Sequence, residues 1–439
     1  MFLPNSVSYC LAALNQGGFQ AYCVGGCVRD SLLGLTPHDY DLCTDALPEE
    51  ICRIFAGHTL VRAGEKHGTI GVVIDGQVYE ITTFRTEGGY QDNRHPDWVK
   101  FVPTVEEDLS RRDFTVNAMA YCPQRGYIDP WGGQQDLQQG ILRAVGDPMV
   151  RFTEDALRIL RGARFAVRFD LKPDPATEQA MNDLAPHLKN IANERIFDEL
   201  CKLILDVTAQ DLLRYRNILA QVIPELKDSF DFDQHSPHHV YDVFTHTAHV
   251  VEASPREPAL RWAALLHDTG KPQAFYRDET GRGHFPSHAK YSARIAEAVL
   301  TRLRAPTALR ERVVLLIAQH MTQLEPDKRI LRRRLSQHGE QTVWQMLALQ
   351  HADFSSKGTG KPQEEAVFAQ IESCLQELLA EDACLGLKDL AVDGRDLMAL
   401  GFPAGPQLGK CLNWLLEQVL DEKLPNEKSA LLTAAKEYL

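Results

Sequence analysis

YCVGGCVRDSLLGLTPHDYDLCT, residues Tyr22–Thr44, is the stretch that decides the fold of this chain. The short apolar run Ala21–Val24 predicts a strand that leads into Gly25 and Gly26, where the backbone can turn tightly and approach a ligand without a Cβ in the way. The helical spacing of Val28–Leu33 places the amides around Gly26 at a helix N-terminus, which favours a bound phosphate. The stretch therefore predicts a strand, a glycine turn and a helix arranged around an anion.

Charged residues follow this turn. Arg29, in the first helical turn, can add a charged fork to the same anion. Further on, Asp39 and Asp41 alternate with Tyr40 and Leu42, and on a strand this alternation places both carboxylates on one face. Two adjacent carboxylates repel each other unless a cation lies between them, and beside a phosphate site the natural guest is Mg²⁺. A glycine turn or an Asp-x-Asp pair alone is most often structural, whereas their ordered combination favours nucleotide chemistry.

The combined pattern, G-G-x-V-R-D-x-L-L-G followed by D-x-D, resembles the polymerase-beta-like nucleotidyltransferases. In this longer form it resembles most closely the family of class II tRNA nucleotidyltransferases and bacterial poly(A) polymerases. The resemblance implies an α/β nucleotidyltransferase head followed by all-α neck, body and tail domains. It also implies transfer of nucleotides from ATP and CTP to the 3′ end of tRNA by two-metal phosphoryl transfer, with Asp39 and Asp41 as the catalytic Mg²⁺ ligands.

Size and composition limit the class of protein. A chain of 439 residues predicts roughly two to four domains. With 44% hydrophobic and 24% charged residues, no apolar run of membrane-spanning length and no signal-peptide pattern, we expect a cytoplasmic protein without a membrane partner. Ten scattered cysteines without paired C-x-x-C spacing predict buried thiols in a reducing compartment rather than a zinc ribbon or disulfides.

The net charge of −13 argues against nucleic-acid binding at first sight. A phosphate nevertheless senses the local field within a Debye length of ~10 Å, so clustered cations matter more than the total. The clustered cations are Arg158, Arg161, Arg164 and Arg168 in one group, and Lys328, Arg329, Arg332, Arg333 and Arg334 in another. An acidic enzyme with such basic tracts can still bind RNA, with a marked salt dependence.

The remainder of the predicted head contains a hairpin. Ile70–Ile74 and Gln77–Phe84 are rich in β-forming residues and are joined by Asp75 and Gly76, a strong two-residue turn signal. Glu80 shares a strand face with Val78 and Thr82, opposite Tyr79 and Ile81. It is either a third carboxylate beside the catalytic pair or an ordinary solvent-facing glutamate.

Three further motifs of the head match the same family. The polar segment Arg85–Trp98 is long for a connection, and the resemblance implies a flexible loop needed for addition of the terminal A. Arg111–Ala118, R-R-D-F-T-x-N-A, reads on its own as a capped helix start. The resemblance implies instead that Arg112 contacts the triphosphate and that Asp113 contacts the ribose 2′-hydroxyl. Asp129–Gly133 resembles the hinge between head and neck.

A helical pattern follows, with Thr153 as the predicted N-cap. Asp155 and Arg158 lie one turn apart, which is either a surface ion pair or a reader of base edges. Cytosine and adenine present an amino donor beside a ring-nitrogen acceptor, so a carboxylate beside a guanidinium matches them and mismatches uracil and guanine. The family's E-D-x-x-R motif implies this base-reading role, and Arg161 and Arg164 are expected to support the pair or contact phosphates.

A second set of metal-like residues lies further along the chain. Its members are His246, His267, Asp268 and Asp353, with His288 and His320 as additional candidates. The order His, His-Asp, Asp resembles the HD phosphohydrolase superfamily, and the resemblance implies a divalent ion such as Mn²⁺, Co²⁺, Ni²⁺ or Mg²⁺. One reading is a metal-dependent phosphatase or cyclic phosphodiesterase that trims RNA ends, and the other is a degenerate fold kept for structure.

The domain prediction that follows has four parts: a head at residues 1–146, a helical neck and body at 147–230 for base and RNA binding, an HD domain at 231–365, and a helical tail for the tRNA body at 366–439. Four functions stay open. They are full CCA addition, A addition beside a CC-adding partner, poly(A) synthesis, and HD phosphohydrolysis with the head as an RNA-binding module. The sequence leaves the oligomeric state undetermined.

Overall fold

The computed structural model describes residues 1–88, 98–236, 240–358, 362–381 and 384–438. The chain forms two compact units. The first comprises Met1–Val207 and Arg214–Pro224, and the second comprises Thr208–Leu213 and Glu225–Leu439. The predicted α/β head followed by all-α regions is confirmed, while the finer division into four domains stays a prediction.

The first unit contains the strands β1 Ala21–Val24, β2 Leu42–Thr44, β3 Thr59–Val61, β4 Thr69–Ile74, β5 Gln77–Thr83, β6 Arg85–Gly88, β7 Trp98–Phe101, β8 Ala120–Cys122, β9 Gly126–Ile128, β10 Ile141–Leu142 and β11 Lys172–Pro173. Its helices are α1 Asn5–Gln16, α2 Gly26–Leu32, α3 Pro48–Ile54, α4 Val105–Ser110, α5 Gly133–Gln139, α6 Pro148–Glu154, α7 Leu157–Arg168, α8 Pro175–Leu184 and α9 Asn193–Ile204, while α10 Ala209–Val222 contributes residues to both units.

Seven of these strands form one mixed sheet in the order β3-β4-β5-β2-β1-β8-β9, in which β2 and β5 run parallel and the other pairs run antiparallel. Helices α1, α2 and α3 cover one face with a cluster of buried apolar side chains, and α4 contributes to a second cluster on the other face. The predicted hairpin is confirmed, since Ile74 pairs with Gln77 and both turn residues, Asp75 and Gly76, have φ near +51° and +77°. The loop predicted at Arg85–Trp98 lies largely outside the described residues.

The prediction that Asp39 and Asp41 lie on a strand is wrong. β2 begins at Leu42, so Asp39 and Asp41 lie in the preceding loop. The Asp41 carbonyl still accepts the N–H of Val24 at 3.0 Å. Because β1 ends there and the chain turns at Gly25, the residues before Asp41 have no neighbour on that side with which to continue the ladder.

The predicted helix start at Thr153 is also wrong. Helix α6 begins earlier, where the Asp147 carboxylate accepts the N–H of Met149 at 2.8 Å and Pro148 occupies the first turn. The Thr153 hydroxyl donates back to the Met149 carbonyl from inside that helix. Asp155 is extended, with φ −145° and ψ 101°, so it separates α6 from α7 instead of belonging to one continuous helix.

The second unit contains the helices α11 Val243–Ala253, α12 Pro258–Leu266, α13 Lys271–Ala274, α14 His288–Arg302, α15 Thr307–Gln319, α16 Lys328–His338, α17 Glu340–Ser355, α18 Pro362–Ala380, α19 Gly394–Ala399, α20 Pro406–Leu420 and α21 Lys428–Tyr438, with the short strands β12 Tyr276–Arg277 and β13 Gly283–His284. Short 3-10 turns cover Glu65–His67, Thr115–Asn117, Ala185–Asn190, Pro224–Ser229 and Leu387–Asp389 along the chain. In the described ranges, no helix has the length and apolar character needed to cross a bilayer.

The second basic tract of the sequence lies on α16, and acidic side chains meet several of its cations. The ion pairs are Lys328 with Glu377 and Glu381 at 2.9 and 2.7 Å, Arg332 with Glu422 at 2.8 Å, and Arg333 with Asp421 at 2.6 Å. These pairs lower the local positive field, so this tract is less suited to RNA than the sequence alone indicates.

Candidate active site and metal centre

An acidic cleft of about 730 Å³ opens where the loop before β2 passes β5, near the middle of the head sheet. Asp39, Asp41 and Glu80 line it, and all three side chains are exposed. The parallel register that pairs Leu42 with Ile81 sets the residue before each of them, Asp41 and Glu80, side by side. Glu80 is therefore solvent-facing and also lines the cleft with Asp39 and Asp41. Exposure to solvent and a role as a third carboxylate are thus compatible.

The electrostatics of the cleft suit a cation. Enclosure by protein atoms raises the pKa of the Asp41 carboxyl, the negative charge of Asp39 raises it further, and the guanidinium of Arg112 opposes both effects. Carboxylate oxygens are the ligands that Mg²⁺ prefers, and the cleft supplies them from two segments of the chain. The residues present therefore fit the predicted Mg²⁺ site.

The glycine turn brings a guanidinium close to this cleft. Gly25 has φ +75°, a conformation that favours glycine, and its N–H donates to the Met119 carbonyl at 3.1 Å. A Cβ on Gly25 would lie 2.8 Å from Nη1 of Arg112, so the missing side chain makes room for the arginine. The buried Nε of Arg112 has no hydrogen-bond partner among the residues that the structure describes. Arg112 is thus placed beside the turn with donor capacity to spare.

Asp108 forms an ion pair with Arg112, and no sequence motif predicted a role for Asp108. Its buried carboxylate lies 2.9 Å from Nη2 of Arg111 and 3.4 Å from Nη2 of Arg112, and it accepts the N–H of Arg85 at 3.2 Å. Burial alone would raise the pKa of Asp108, but the two guanidinium groups outweigh it and the pKa is lowered. The sequence does contain a signal for these ion pairs, because Asp108 lies three residues before Arg111 and four before Arg112.

We expect Asp108→Asn to weaken triphosphate binding, because Arg112 loses the carboxylate that orients it. The lost charge-assisted contact corresponds to roughly a 10- to 100-fold rise in the KM for every nucleotide. Steady-state incorporation kinetics with CTP and ATP measure this rise. Asp147→Asn, which alters a helix cap elsewhere in the unit, is the matched control, and an unchanged KM in Asp108→Asn would contradict the assignment.

Asp113 is the centre of a buried ionic network. Its Oδ1 accepts the N–H of Phe114 at 2.8 Å and the side-chain amide of Asn117 at 3.1 Å. Its Oδ2 accepts Nε and Nη2 of Arg161 at 2.8 and 2.7 Å. Burial would raise the pKa of Asp113, yet the facing guanidinium of Arg161 holds it well below its usual range. The carboxylate is therefore ionised and fixed in orientation.

The predicted phosphate ligand Arg29 is engaged by protein groups. Its Nε and Nη2 donate to Asp30 Oδ1 at 2.9 and 2.6 Å, and its Nη1 donates to Asn117. The guanidinium carbon also lies 4.2 Å from the ring centre of Phe169 and 5.2 Å from that of Phe165. Arg29 thus connects α2 with α7 and with the residue that ends it.

The predicted base-reading pair is close to this network, but its members contact other side chains. Asp155 accepts Nη2 of Arg195 at 2.8 Å. Arg158 donates from Nη1 to Glu154 at 2.8 Å and from Nη2 to the Arg111 carbonyl at 3.1 Å. The contact with Arg111 places Arg158 next to the R-R-D motif.

Arg161 and Arg164, which follow Arg158 on α7, have different surroundings. Arg164 forms a buried ion pair with Glu199, with Nε 2.6 Å from Oε2. Arg161 lies 3.7 Å from the same glutamate and bonds Asp113. Of the two predicted roles, support of the base-reading region fits this geometry better than contact with phosphates.

In the second unit, the six predicted HD residues converge. The Nδ1 of each histidine lies within hydrogen-bonding distance of a main-chain carbonyl, which fixes the ring and directs Nε2 to a common centre. These contacts join His246 to Ser356 at 3.3 Å, His267 to Ala264 at 2.8 Å, His288 to Phe285 at 2.9 Å and His320 to Ile317 at 2.7 Å.

Two carboxylates meet these Nε2 atoms. Asp353 lies 2.9 Å from His246, and Asp268 lies 3.2 Å from His267 and 3.4 Å from His288. Potential ligand atoms lie within 4.8 Å of one another in two sets that share Asp268. The sets are His246, His267 and Asp268, and Asp268, His288 and His320.

The charges around this cluster favour ligation of a metal ion. Burial lowers the pKa of His320 to about 4, so that its ring is neutral at physiological pH. Burial would raise the pKa of Asp268, but His267 and Lys271 outweigh it and keep the carboxylate ionised. Burial would lower the pKa of His267, but the carboxylates of Asp268 and Asp353 raise it, so this ring must release a proton before it binds a metal ion. Neutral imidazoles and ionised carboxylates are the ligand forms that divalent transition metals bind, so after that deprotonation the residues fit the predicted metal centre.

The mixed sheet, the glycine turn and the carboxylate pair define the head as a nucleotidyltransferase of the polymerase-beta type. Residues 21–143 match the family described as the poly A polymerase head domain, residues 170–230 match the probable RNA and SrmB-binding site of polymerase A, and residues 285–435 match the putative tRNA nucleotidyltransferase domain 2. The chain is 35% identical over 431 residues to the CCA-adding enzyme of Limosilactobacillus fermentum, covering 98% of this chain and 96% of that enzyme. It belongs to the CCA-adding enzyme family.

Other relatives agree with this assignment. The CCA-adding enzyme of Levilactobacillus brevis is 35% identical, over 97% of this chain and 95% of its own length. Among solved structures, the Bacillus stearothermophilus CCA-adding enzyme in complex with CTP superposes with a TM-score of 0.76 at 28% identity, covering 100% of this chain and 98% of that one. The Thermotoga maritima CCA-adding enzyme complexed with tRNA shares the fold, with a TM-score of 0.59, 20% identity and coverage of 100% and 96%.

Proposed function

We propose that the protein adds CCA, or part of it, to tRNA 3′ ends from CTP and ATP without a nucleic-acid template. The observation that carries this proposal is the acidic cleft of Asp39 and Asp41, with Arg112 close enough to act on the charge of Asp41 and placed against the Gly25 turn. Kinship to CCA-adding enzymes over nearly the whole chain supports the substrates.

The cleft residues carry the proposed reaction. Asp39 and Asp41 offer oxygen ligands for Mg²⁺, which when bound supplies activation of the attacking hydroxyl and neutralisation of the triphosphate. The Gly25–Gly26 turn, Arg29 and Arg112 bind and orient the triphosphate, since both arginines lie against the turn. Asp113, held ionised by Arg161, is the acceptor for the ribose 2′-hydroxyl.

Base selection follows from an exchange of partners. Asp155 forms an ion pair with Arg195, and Arg158 forms one with Glu154. A cytosine or adenine edge offers one donor and one acceptor, and it replaces these partners without leaving either charge unsatisfied. Uracil and guanine present the opposite order, so the same exchange leaves a mismatch.

Three tRNA substrates test the extent of addition. They end before the first C, before the second C and before the terminal A, and each is incubated with single nucleotides and resolved at one-nucleotide resolution. A full CCA enzyme extends all three and stops after A. An A-adding enzyme extends only the third, while a poly(A) polymerase ignores CTP and continues past one A. Extension of none of them would overturn the proposal.

We propose a second activity, metal-dependent hydrolysis of phosphoesters at RNA ends, for the HD cluster, by which we mean His246, His267, Asp268, His288, His320 and Asp353. Five of these residues offer potential ligand atoms in two sets that share Asp268, and Asp353 lies 2.9 Å from His246. Lys271 and Lys357 lie 2.7 and 3.4 Å from the carboxylates of the cluster, and both line a cavity of about 230 Å³ that opens onto it. The two ammonium groups suit the charge of a phosphate. A divalent ion held by the cluster would supply Lewis-acid activation of the ester.

We expect His267→Ala to abolish hydrolysis of model phosphoesters with Mn²⁺, Co²⁺ or Ni²⁺, since it removes a ligand that is buried at the centre. Bound metal, measured by mass spectrometry after desalting, should fall with it, while nucleotide incorporation into tRNA persists. His249→Ala is the matched control, because that imidazole lies against Tyr241 outside the cluster. If the wild-type protein binds none of these ions and hydrolyses nothing, the cluster is a degenerate fold kept for structure.

A further inference from the structure

A short hairpin, formed by β12 and β13, lies beside the cavity that opens onto the HD cluster. Its strands are antiparallel, with Tyr276 opposite His284. The N–H of Gly283 donates to the His235 carbonyl at 2.9 Å, and a Cβ on Gly283 would lie 2.2 Å from the carbonyl oxygen of Gln234. The missing side chain therefore lets the hairpin pack closely against the segment that precedes the cluster.

Tyr276 and His284 form a ring pair on this hairpin. Their ring centres are 5.1 Å apart and their planes differ by 18°, so the two rings stack. Tyr276 is 52% exposed, whereas His284 is half-buried and lines the cavity. The ring pair therefore extends from the cavity to the solvent.

The turn of the hairpin fixes the inner ring of this pair. Oδ2 of Asp278 lies 2.6 Å from Nε2 of His284. Oδ1 of Asp278 accepts the N–H and the hydroxyl of Thr280 at 2.9 and 2.6 Å, and the N–H of Arg282 at 3.0 Å. Because one carboxylate ties the turn to the imidazole, the ring pair has a defined orientation before any ligand binds.

The cavity itself is too small for a whole nucleotide. Its volume is about 230 Å³, below the roughly 300–1,000 Å³ of sites that enclose a complete organic ligand. Lys271 and Lys357 line it, and Nζ of Lys271 lies 5.4 Å from the ring centre of Phe285. A phosphate and part of its sugar fit near these ammonium groups, so a base attached to that sugar must lie at the mouth of the cavity.

We propose that the ring pair, Tyr276 and His284, is a base-binding subsite of the HD cluster, and that the substrate is the phosphorylated terminal nucleotide of a single-stranded RNA end. This inference rests on the proposed hydrolase activity. Every base has a flat face that stacks on an aromatic side chain, and cations beside such rings bind the backbone. Arg277 and Arg282, both exposed on the hairpin, supply positive charge for the preceding phosphate.

Two phosphoesters test the subsite by hydrolysis in the presence of Mn²⁺. Adenosine 3′-monophosphate carries a base, whereas glycerol 2-phosphate has none. Tyr276→Leu is expected to raise the KM for the nucleotide about 10-fold, because it removes the stacking face, and to leave the KM for glycerol 2-phosphate unchanged. Tyr276→Phe keeps the ring and should retain both wild-type values. Incorporation of CTP into tRNA by each variant checks that the chain is folded.

Binding of a fluorescent RNA trinucleotide with a 3′-phosphate, followed by anisotropy, gives a second measurement that needs no turnover. Tyr276→Leu is expected to weaken this binding about 10-fold as well. Tyr438→Leu is the matched control, because that exposed tyrosine also lies beside an aromatic ring, with its centre 4.9 Å from that of Trp414, but near the C-terminus. The control should bind the trinucleotide like the wild type.

The outcomes separate the subsite from the hydrolase activity. Trinucleotide binding that is unchanged in Tyr276→Leu, or KM values that change equally for the two phosphoesters, would overturn the inference while leaving hydrolysis in place. Binding that depends on Tyr276, in a wild-type protein that hydrolyses neither phosphoester, would overturn the hydrolase activity and support the subsite. A wild-type protein that neither binds the trinucleotide nor hydrolyses a phosphoester would overturn both.

Discussion

Replacing Asp41 by Asn is expected to abolish nucleotide incorporation while tRNA binding stays measurable. Asn keeps the size of the side chain but removes the negative charge, and the cleft then offers a weaker site for the cation that the triphosphate needs. The loss should be at least about 10³-fold in kcat, the scale on which electrostatic stabilisation of a developing charge operates. Asp39→Asn is expected to behave in the same way.

The measurement is incorporation of CTP by each variant at saturating Mg²⁺, with tRNA affinity followed separately by a binding assay. Asp75→Asn is the matched control, because that aspartate is exposed in the head hairpin and Asn tolerates its positive φ. Wild-type rates in either Asp39→Asn or Asp41→Asn would refute the assignment of that residue as a metal ligand. Rescue of the variants by Mn²⁺ would support it, since the softer ion accepts a neutral ligand more readily.

Local chemistry explains what was predictable in the head. The strand Ala21–Val24, the turn at Gly25 and the helix from Gly26 follow from an apolar run and from a residue that tolerates φ +75°. The hairpin at Asp75 and Gly76 follows in the same way from two residues that accept positive φ. Each of these features is decided within a few residues, so the sequence contains the whole reason.

Features decided by distant partners were not predictable in this way. Nothing near Arg29 in the sequence indicates that it stacks on Phe169, 140 positions later. The helix assumed from Thr153 breaks at Asp155, whose carboxylate contacts Arg195 as well as the start of the next helix. Such contacts depend on how the helices pack, and periodicity within one segment carries no information about them.

The HD cluster was partly predictable from the sequence. The order of His246, His267, Asp268 and Asp353 along the chain predicted a common centre, and the structure brings these residues together from three separate segments. The main-chain carbonyls that contact the imidazoles were not predicted from the sequence. Three of them lie three residues before their histidine, at Ala264, Phe285 and Ile317, and the fourth belongs to Ser356, 110 positions after His246.

Reversing the base-reading pair, as Asp155→Arg with Arg158→Asp, is expected to shift preference from CTP and ATP toward UTP and GTP. The reversed pair presents a donor where the wild type has an acceptor, and an acceptor where it has a donor. With each bidentate match contributing ~1–3 kcal/mol, the ratio of UTP to CTP incorporation should rise by about 10- to 100-fold. Single-nucleotide incorporation at equal concentrations measures this ratio.

The structure refines this experiment, because the reversed charges meet their present partners. The new cation at position 155 faces Arg195, and the new anion at position 158 faces Glu154, so the double variant carries two like-charge contacts and a reduced overall rate. Adding Arg195→Glu and Glu154→Arg restores opposite charges and should recover part of the rate without changing the UTP preference. If the fourfold variant recovers activity and still prefers CTP and ATP, these residues do not read the base, and selectivity must come from the main chain or from another side chain facing the nucleotide.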